Sequence, residues 1–507
     1  MESLDVFDTA LFRDVYQPRD IFSLIEDKVG NSFRKKRIEA ESKAAAKNRF
    51  YTLRDIYTYL IGFDPNKEIE IEFEHVYANP KILEMYNKNP MNYVFISDMY
   101  LPSSTIKKML ENCGYINPRV FVSCEEKCNK SSGILFEKVQ KRVGKITKHY
   151  GDNYRGDIEG CVTQGIEPVF IPALEKFNLN LPAVKNPMLK KYAAILENSD
   201  EPALVILTKY FAPLIYYFTK WVLDKRGEDQ HVYFLSRDMF MPYLIAKELM
   251  GEKNIHYIYC SRKSLSPLIL NGKDKILIDK MHTIFGDKTC AEKKKEGIKD
   301  CLEYVKSTGI KERDIIVDIG YSGTTQRVIE QALDISLVGK YIQLGFVPKE
   351  FSSMDTRQYL NRMALIYVFL AEFIFTSPED NVEGYKDGKV IFTPDNEKRK
   401  NYAKEIVNTI IDKDLFKHIM KMNLSLFDIE QMLIHIQTYP SYKMMEILNE
   451  PILTNRLTKE SCINFNREAI LQGKLMECYK HSYAHPLFKK MLEHDKELWG
   501  LLRLLPQ

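Results

Sequence analysis

The sequence predicts an α/β protein with two α/β domains and a mainly helical C-terminal region. Short apolar runs, typical of buried strands, end in acidic, hydroxyl or basic residues, and segments of helical periodicity lie between them. This pattern occurs within residues 1–175 and again within residues 201–350, whereas helical periodicity dominates residues 351–507. Because strands that alternate with helices form parallel sheets, the polar strand ends should meet at one edge of each sheet.

The composition excludes several classes of protein. The chain has 507 residues, of which 45% are apolar and 28% charged, so it can build packed cores in two to four domains of roughly 150 residues. A net charge of +4 is too balanced for a nucleic-acid-binding protein. The nine cysteines lack paired metal-site spacing, which favours reduced thiols in a cytoplasmic protein. We find neither a signal peptide nor an apolar run of about 18 residues that would span a membrane.

Four segments of residues 1–175 place polar residues at or just after predicted strand ends. The first lies within the opening residues, the second follows an apolar run at 93–96, the third follows a strand at 120–122, and the fourth begins near residue 149. Residues 19–88 between the first two segments are predicted to be helical. The polar residues in question are Asp5, Ser97, Lys130, Asp152 and Asp157.

In order and spacing, these segments resemble the haloacid dehalogenase-like (HAD) hydrolases. The resemblance implies a Rossmann-like phosphatase domain at residues 1–175, with a helical cap at about 14–90. It also implies that Asp5 is the nucleophile, Ser97 holds the phosphoryl group, Lys130 neutralises charge, and Mg²⁺ is bound by Asp5, Asp152 and Asp157. In such sites the aspartate attacks phosphorus and water then hydrolyses the aspartyl phosphate. The segments FDTALF and FISDMYLP resemble those of a subgroup of these hydrolases that is found in bacterial surface-polysaccharide gene clusters.

One position departs from the family pattern. Phosphatases of the family usually carry a second Asp two residues after the nucleophile, as general acid, and this chain has Phe7 there. Strand alternation predicts that the next residue, Asp8, points away from the Asp5 side. Loss of general acid catalysis typically costs about 10²- to 10⁴-fold in rate. The sequence therefore leaves open a slow phosphatase, one that recruits another acid, or an inactive relic.

After a predicted linker at 176–200, residues 201–350 hold the second α/β pattern. A strand at 315–317 ends in Asp318, and a loop of small residues then opens a helix. Free backbone N–H groups at such a turn favour an anion such as phosphate, although an ordinary strand-to-helix turn that binds nothing is the alternative. The residues at this loop and at the two preceding strand ends are Ser322, Gly323, Thr324, Thr325, Arg237, Asp238, Arg262 and Lys263.

The pattern Asp318-x-x-x-Ser322-Gly323-x-Thr325 resembles the loop by which phosphoribosyltransferases hold phosphoribosyl pyrophosphate. That family usually has two adjacent acidic residues here, whereas Val317 precedes Asp318 in this chain. The resemblance implies that Asp318 orients the ribose hydroxyls and that the loop anchors the 5-phosphate. The basic residues at the first two strand ends would then meet the Mg²⁺-bound pyrophosphate.

The C-terminal region offers weaker signals. Its many aromatic residues favour a core, with a glycan groove as the alternative. A basic helix predicted at 487–505 packs on its own domain or on a second subunit, or else it rests on a membrane surface.

Together the two resemblances predict a bifunctional enzyme. It would transfer phosphoribose to a lipid-linked glycan acceptor and then remove the 5-phosphate, leaving a ribofuranosyl residue. Its location would be cytoplasmic, with contact at the inner face of the membrane left open. The alternatives are a phosphatase whose C-terminal half only binds glycan or docks onto assembly enzymes, and a nucleotide-salvage phosphoribosyltransferase. No signal for nucleobase binding supports the nucleotide-salvage enzyme. For the glycan transferase, no general base that would deprotonate the acceptor hydroxyl is identified.

Overall fold

A computed structural model describes residues 1–438 except residues 16, 31, 172–183, 225, 294–296, 345–352 and 361–367. The chain divides into two compact units, Met1–Leu181 with Lys185–Asn198, and Pro182–Val184 with Ser199–Gln507. The predicted α/β class is confirmed, because parallel sheets and many helices form both units. The predicted linker at 176–200 is partly a helix, Pro187–Glu197, and this helix belongs to the first unit.

The first unit consists of seven strands and ten helices among its described residues. The strands are β1 (Glu2–Leu4), β2 (Leu11–Arg13), β3 (Val76–Ala78), β4 (Tyr93–Ser97), β5 (Val120–Val122), β6 (Lys148–Gly151) and β7 (Glu167–Phe170). The helices are α1 (Ile21–Val29), α2 (Phe33–Lys47), α3 (Leu53–Tyr57), α4 (Pro65–Glu74), α5 (Pro80–Lys88), α6 (Ser103–Asn112), α7 (Ser123–Glu126), α8 (Ile134–Val143), α9 (Gly160–Val162) and α10 (Pro187–Glu197).

The main sheet of this unit is parallel, in the order β5-β4-β1-β6-β7. Apolar strand residues such as Leu4 and Phe95 are fully buried and pack against the helices. The direction of strand succession reverses at β1, so the crevice between the carboxyl ends of β1 and β6 is the topological switch point. Open α/β sheets bind their ligands at such a crevice.

A helical insertion stands over this sheet between two short strands. The antiparallel pair β2–β3 closes its base, and α1 to α4 form a small apolar core of their own around residues such as Phe22 and Phe33. The cap predicted at about 14–90 therefore corresponds to α1–α4. The last helix of that range, α5, instead buries Ile82 and Tyr86 in the core beside the main sheet.

The second unit has seven strands and eleven helices among its described residues. The strands are β8 (Val232–Leu235), β9 (Ile255–Ile258), β10 (Ile315–Tyr321), β11 (Val338–Leu344), β12 (Asp355–Gln358), β13 (Asn381–Lys386) and β14 (Lys389–Thr393). The helices are α11 (Ala203–Leu223), α12 (Phe240–Leu244, continued by a π-helical turn at Ile245–Leu249), α13 (Ser266–Asn271), α14 (Lys275–Phe285), α15 (Asp287–Lys293), α16 (Ile298–Ser307), α17 (Thr324–Leu333), α18 (Val368–Ile374), α19 (Glu397–Ile410), α20 (Lys413–Lys421) and α21 (Leu426–Thr438).

The second parallel sheet has the order β12-β11-β10-β8-β9. Its switch point lies between β8, which Asp238 follows, and β10, which contains Asp318. The predicted domain boundary at residue 350 is too early, because β12 completes this sheet. The β13–β14 hairpin also packs on the domain, since the Tyr385 ring stacks on Tyr304 at 4.2 Å and its hydroxyl donates to the Tyr259 carbonyl at 2.7 Å.

From Glu397 onward the described chain is helical, through α19, α20 and α21. Residues 439–507, including the basic helix predicted at 487–505, lie outside the described residues. Within the described part, no helix combines the length and apolarity needed to cross a membrane.

Gly160 gives a test of how tightly the first unit is packed. A Cβ atom there would lie 2.1 Å from the Lys130 carbonyl oxygen, whereas one at Gly156 would have no neighbour nearer than 3.7 Å. We expect Gly160→Ala to lower the free energy of unfolding by about 1–3 kcal/mol, because the backbone must move apart. Gly156→Ala is the matched control and should be neutral or stabilising in urea denaturation. Equal effects at both glycines would contradict the close approach.

Candidate active sites

Asp5 follows β1 at the switch point of the first sheet. Its backbone N–H donates to the Tyr150 carbonyl at 2.8 Å, which extends the β1–β6 ladder by one residue and fixes where the side chain emerges. The side chain is almost fully buried. Burial raises the pKa of Asp5, and the attraction of Lys130 opposes this effect. The predicted nucleophile thus lies at the carboxyl edge of the sheet.

Lys130 connects the acidic residues of this site. Its backbone N–H donates to Asp98 at 3.1 Å, and its ammonium group contacts Asp5 Oδ1 and lies 2.5 Å from Asp157 Oδ1. Burial alone would lower the pKa of Lys130, but Asp157, Asp5 and Asp98 together raise it above its usual range. Conversely, although burial disfavours the Asp157 carboxylate, the attraction of Lys130 and His149 holds the pKa of Asp157 well below its usual range.

The three predicted metal ligands lie together. Carboxylate oxygens of Asp5, Asp152 and Asp157 lie within 4.8 Å of one another. Gly151 makes this possible, because a Cβ atom there would stand 2.3 Å from the Asp157 carboxyl carbon. Hard oxygen ligands of this kind suit Mg²⁺, which is usually held by one or two carboxylates together with water and substrate oxygens. The donor set therefore fits the predicted magnesium ion.

A cavity of about 520 Å³ opens over these residues, lined by both the sheet edge and the cap. Ser97, at the end of β4, and Asp8 lie in its wall. The prediction that Asp8 points away from the Asp5 side is wrong, because the chain turns at Asp8, where φ is +60°. Phe7 lies beneath the Arg13 guanidinium, whose carbon is 4.2 Å from the ring centroid, and Arg13 pairs with Glu72 at 3.0 Å.

Sequence reasoning missed two buried residues beneath this cluster. His149 Nε2 lies 3.0 Å from Asp157 Oδ1, and His149 Nδ1 lies 2.9 Å from Ser3 Oγ. Both side chains are fully buried, and burial lowers the pKa of His149. The sequence held only a weak signal for these two residues. Ser3 stands two positions before Asp5, and His149 stands two positions before Gly151, on strands that are neighbours in the sheet.

The second unit gathers acidic residues at its own switch point. Asp238 follows β8, and Glu372 joins from α18, a contribution that sequence reasoning missed. Asp318 lies within β10, so the strand end predicted there is too early, because the ladder with β11 continues to Tyr321. Burial and mutual repulsion raise the pKa of Asp318 to about 7, and burial followed by repulsion from Asp238 raises the pKa of Glu372 to about 7. Burial also raises the pKa of Asp238 to about 6, although Arg237 and Arg262 oppose it.

The loop after Asp318 is organised around a lysine. Lys280, on α14, donates to Ser322 Oγ at 2.8 Å and lies 3.5 Å from Thr324 Oγ1. Gly323 adopts φ +67° at the N-cap of α17, a left-handed conformation that glycine favours. Thr324 and Thr325 begin that helix and are nearly buried. Burial and the neighbouring Arg262 lower the pKa of Lys280. Sequence reasoning missed Lys280 because it is distant in the chain.

The three predicted basic residues have different surroundings. Arg237 donates to Asn381 and to Asp395 at 2.8 Å, so it is engaged by the β13–β14 region. Lys263 forms an ion pair with Glu383 on β13. Arg262 is exposed, and its positive charge acts on Asp238 and Asp318. The structure therefore brings both Arg237 and Arg262 to the acidic cluster, whereas Lys263 has Glu383 as a local partner.

Comparison of the chain with protein-family models and with curated proteins finds no match.

The acidic cluster of the second unit should make stability depend on pH. A carboxyl group whose pKa is raised in the folded protein keeps its proton where the unfolded chain has lost it, so stability falls as pH rises from about 4 to 7. Glu372→Gln removes one repelling charge, and we expect it to gain stability relative to the wild type as pH rises from 5 to 8.

Thermal unfolding at pH 5, 6.5 and 8 measures this difference, with the exposed Glu228→Gln as control. A constant difference between Glu372→Gln and the wild type across that range would contradict the repulsion among the three carboxyl groups.

Proposed function

We propose that the first unit is a Mg²⁺-dependent HAD-type phosphatase that works through an aspartyl phosphate on Asp5. The observation that carries this proposal is the buried Lys130 ammonium, which bridges Asp5 and Asp157 at the switch point of the sheet. A structural ion pair needs only one carboxylate. Here one ammonium faces several carboxylates beneath a cavity, an arrangement suited to stabilising the charge of a phosphoryl group.

The residues divide the chemistry among them. A carboxylate oxygen of Asp5 attacks phosphorus, the ester oxygen of the substrate leaves, and water later cleaves the aspartyl phosphate to release inorganic phosphate. Lys130 and the Ser97 hydroxyl hold the phosphoryl oxygens. Bound Mg²⁺ would supply the remaining positive charge, held by Asp5, Asp152 and Asp157. Asp8 is a carboxyl group in the cavity wall that could protonate the leaving oxygen, the role for which Phe7 is unsuited.

The cap favours a sugar phosphate as substrate. Its side of the cavity carries the carboxylates of Glu41 and Glu72, each held in place by other groups: Glu41 by Arg37 and Tyr51, and Glu72 by Arg13. Fixed carboxylates accept hydrogen bonds from hydroxyl groups. A cavity of about 520 Å³ has room for a sugar unit together with its phosphate.

For the second unit we infer phosphoribosyl transfer from phosphoribosyl pyrophosphate. The specific support is the position of Asp318 at the switch point, next to a loop in which Lys280, Ser322 and Thr324 converge at the start of α17. The loop would hold the 5-phosphate, Asp318 would orient the ribose hydroxyls, and Arg262 would face the pyrophosphate.

With both activities, the chain would add phosphoribose to a lipid-linked glycan and then remove the 5-phosphate. The two activities suit this order of steps, because the transfer in the second unit creates the phosphomonoester that the first unit would hydrolyse. The alternative is a phosphatase whose second unit only binds glycan or docks onto assembly enzymes, and it differs in one measurable property: it would not bind phosphoribosyl pyrophosphate.

Asp5→Asn should abolish Mg²⁺-dependent release of phosphate from ribose 5-phosphate, because the amide cannot form the aspartyl phosphate. The exposed Asp229→Asn on the second unit is the control and should keep wild-type activity. Phosphate release measured with and without Mg²⁺ decides between the outcomes. Activity retained by a folded Asp5→Asn protein would rule out this nucleophile.

Binding of phosphoribosyl pyrophosphate tests the second unit. We expect Lys280→Met to weaken it by about 10- to 100-fold, since a hydrogen bond to a charged group contributes about 1.5–3 kcal/mol. Lys263→Met is the matched control, because Lys263 pairs with Glu383, and it should change affinity only slightly. Titration calorimetry with Mg²⁺ present gives the affinities. A wild-type protein that shows no binding at millimolar ligand would support the docking alternative instead.

A further inference from the structure

Beneath the Asp5 site lies a row of buried polar side chains that the proposed chemistry does not use. Ser3 on β1 and His149 on β6 are register partners in the parallel ladder, so their side chains meet across the two strands. Two residues after Ser3, Asp5 follows β1, and two residues after His149, Gly151 ends β6. The row therefore stands directly behind the catalytic edge of the sheet.

The hydrogen bonds of this row define one tautomer of His149. Asp157 Oδ1, which lies 3.0 Å from His149 Nε2, accepts hydrogen bonds only, so Nε2 must carry a proton. A neutral ring then has an unprotonated Nδ1, which accepts from the Ser3 hydroxyl at 2.9 Å. The ring is fully buried, and its edge packs on Phe136 at 4.8 Å between centroids. Asp157 thereby selects the tautomer, the Ser3 hydroxyl completes the hydrogen bonding of the ring, and Phe136 limits its rotation.

Asp157 is held by three donors from three directions. His149 and Lys130 both reach Oδ1, and the Asn153 N–H reaches Oδ2 at 2.9 Å. Of these donors, Lys130 also contacts Asp5. If His149 were absent, Asp157 Oδ1 would keep only the Lys130 ammonium as a donor, and the spacing between Asp157 and Asp5 would no longer be fixed.

We propose that His149, as the Nε2–H tautomer that Asp157 requires, is a positioning residue that fixes Asp157 for magnesium binding and aligns Lys130 with Asp5. The inference rests on the proposed function of the Asp5 site. Buried partners that orient metal ligands typically change metal affinity or activity by about 10- to 100-fold when they are removed. We expect an effect of that size from His149, expressed in Mg²⁺ affinity and in kcat rather than in KM for the phosphorylated substrate.

Three variants of the full chain separate positioning from simple packing. His149→Leu removes the donor to Asp157 and keeps an apolar side chain of moderate size. His149→Gln retains an N–H donor near the place of Nε2, and it should recover most of the Mg²⁺ affinity. Ser3→Ala leaves the imidazole but removes its hydroxyl partner. Calorimetry with Mg²⁺ and the Mg²⁺ dependence of phosphate release are measured for each variant.

A spectroscopic readout is independent of both metal and activity. In protein labelled with ¹⁵N-histidine, the imidazole signals identify the tautomer, and the signal lost in His149→Gln assigns residue 149. We expect the Nε2–H tautomer in the wild type, and we expect it to persist in Ser3→Ala because Asp157 still accepts from Nε2.

An Nδ1–H tautomer in the wild type would overturn the proposal, as would wild-type Mg²⁺ affinity in a folded His149→Leu protein. If His149→Leu does not fold, the Gln and Ala variants and the spectrum decide. Absence of any phosphatase activity would count against the proposed function alone, because the tautomer and the Mg²⁺ affinity are measured without substrate.

Discussion

The first site depends on one interaction, the contact of the Lys130 ammonium with Asp5 and Asp157. Burying an ammonium group is costly unless it is paired with good geometry. Here two carboxylates contact the ammonium and Asp98 accepts from the lysine backbone, while Asp152 adds a further negative charge nearby. The site therefore carries more negative than positive charge, and a divalent cation would restore the balance. The close packing around these side chains requires glycine at two positions. Gly160 lies behind Lys130, and Gly151 lies beneath Asp157.

The two sheets follow the same topological rule, but their sites differ in electrostatics. In the first unit a buried cation contacts Asp5 and Asp157, and the pKa of Asp157 is lowered. In the second unit, burial and mutual repulsion hold the pKa values of Asp318 and Glu372 near 7. Lys280 is engaged by the hydroxyls of the following loop instead. The proposed ligand, Mg²⁺-bound phosphoribosyl pyrophosphate, would bring positive charge to the carboxyl groups and negative charge to the loop.

The sequence located residues that follow strand ends, because strand periodicity and parallel topology together place them at one edge. Asp5 was found in this way, whereas Lys130 and Asp157 were assigned through the resemblance to HAD segments. Asp318 was predicted to end its strand, but β10 continues past it to Tyr321. Residues whose roles depend on long-range register or packing could not be found: the pairing of Ser3 with His149 needs the β1–β6 register, and Glu372 and Lys280 arrive from helices distant in the chain. The turn at Asp8 and the pairing of Lys263 with Glu383 were likewise invisible to strand alternation. The early domain boundary arose because β12, with the sequence Asp-Thr-Arg-Gln, has no apolar run.

Trapping of the covalent intermediate tests whether Asp5 is the nucleophile. Wild-type protein is incubated with Mg²⁺ and ribose 5-phosphate, quenched, reduced with tritiated borohydride and digested, and the labelled peptide is sequenced. The account predicts label at Asp5, because borohydride reduces an acyl phosphate and leaves a free carboxylate unchanged. Steady release of phosphate with label at another residue, or with no label, would contradict it.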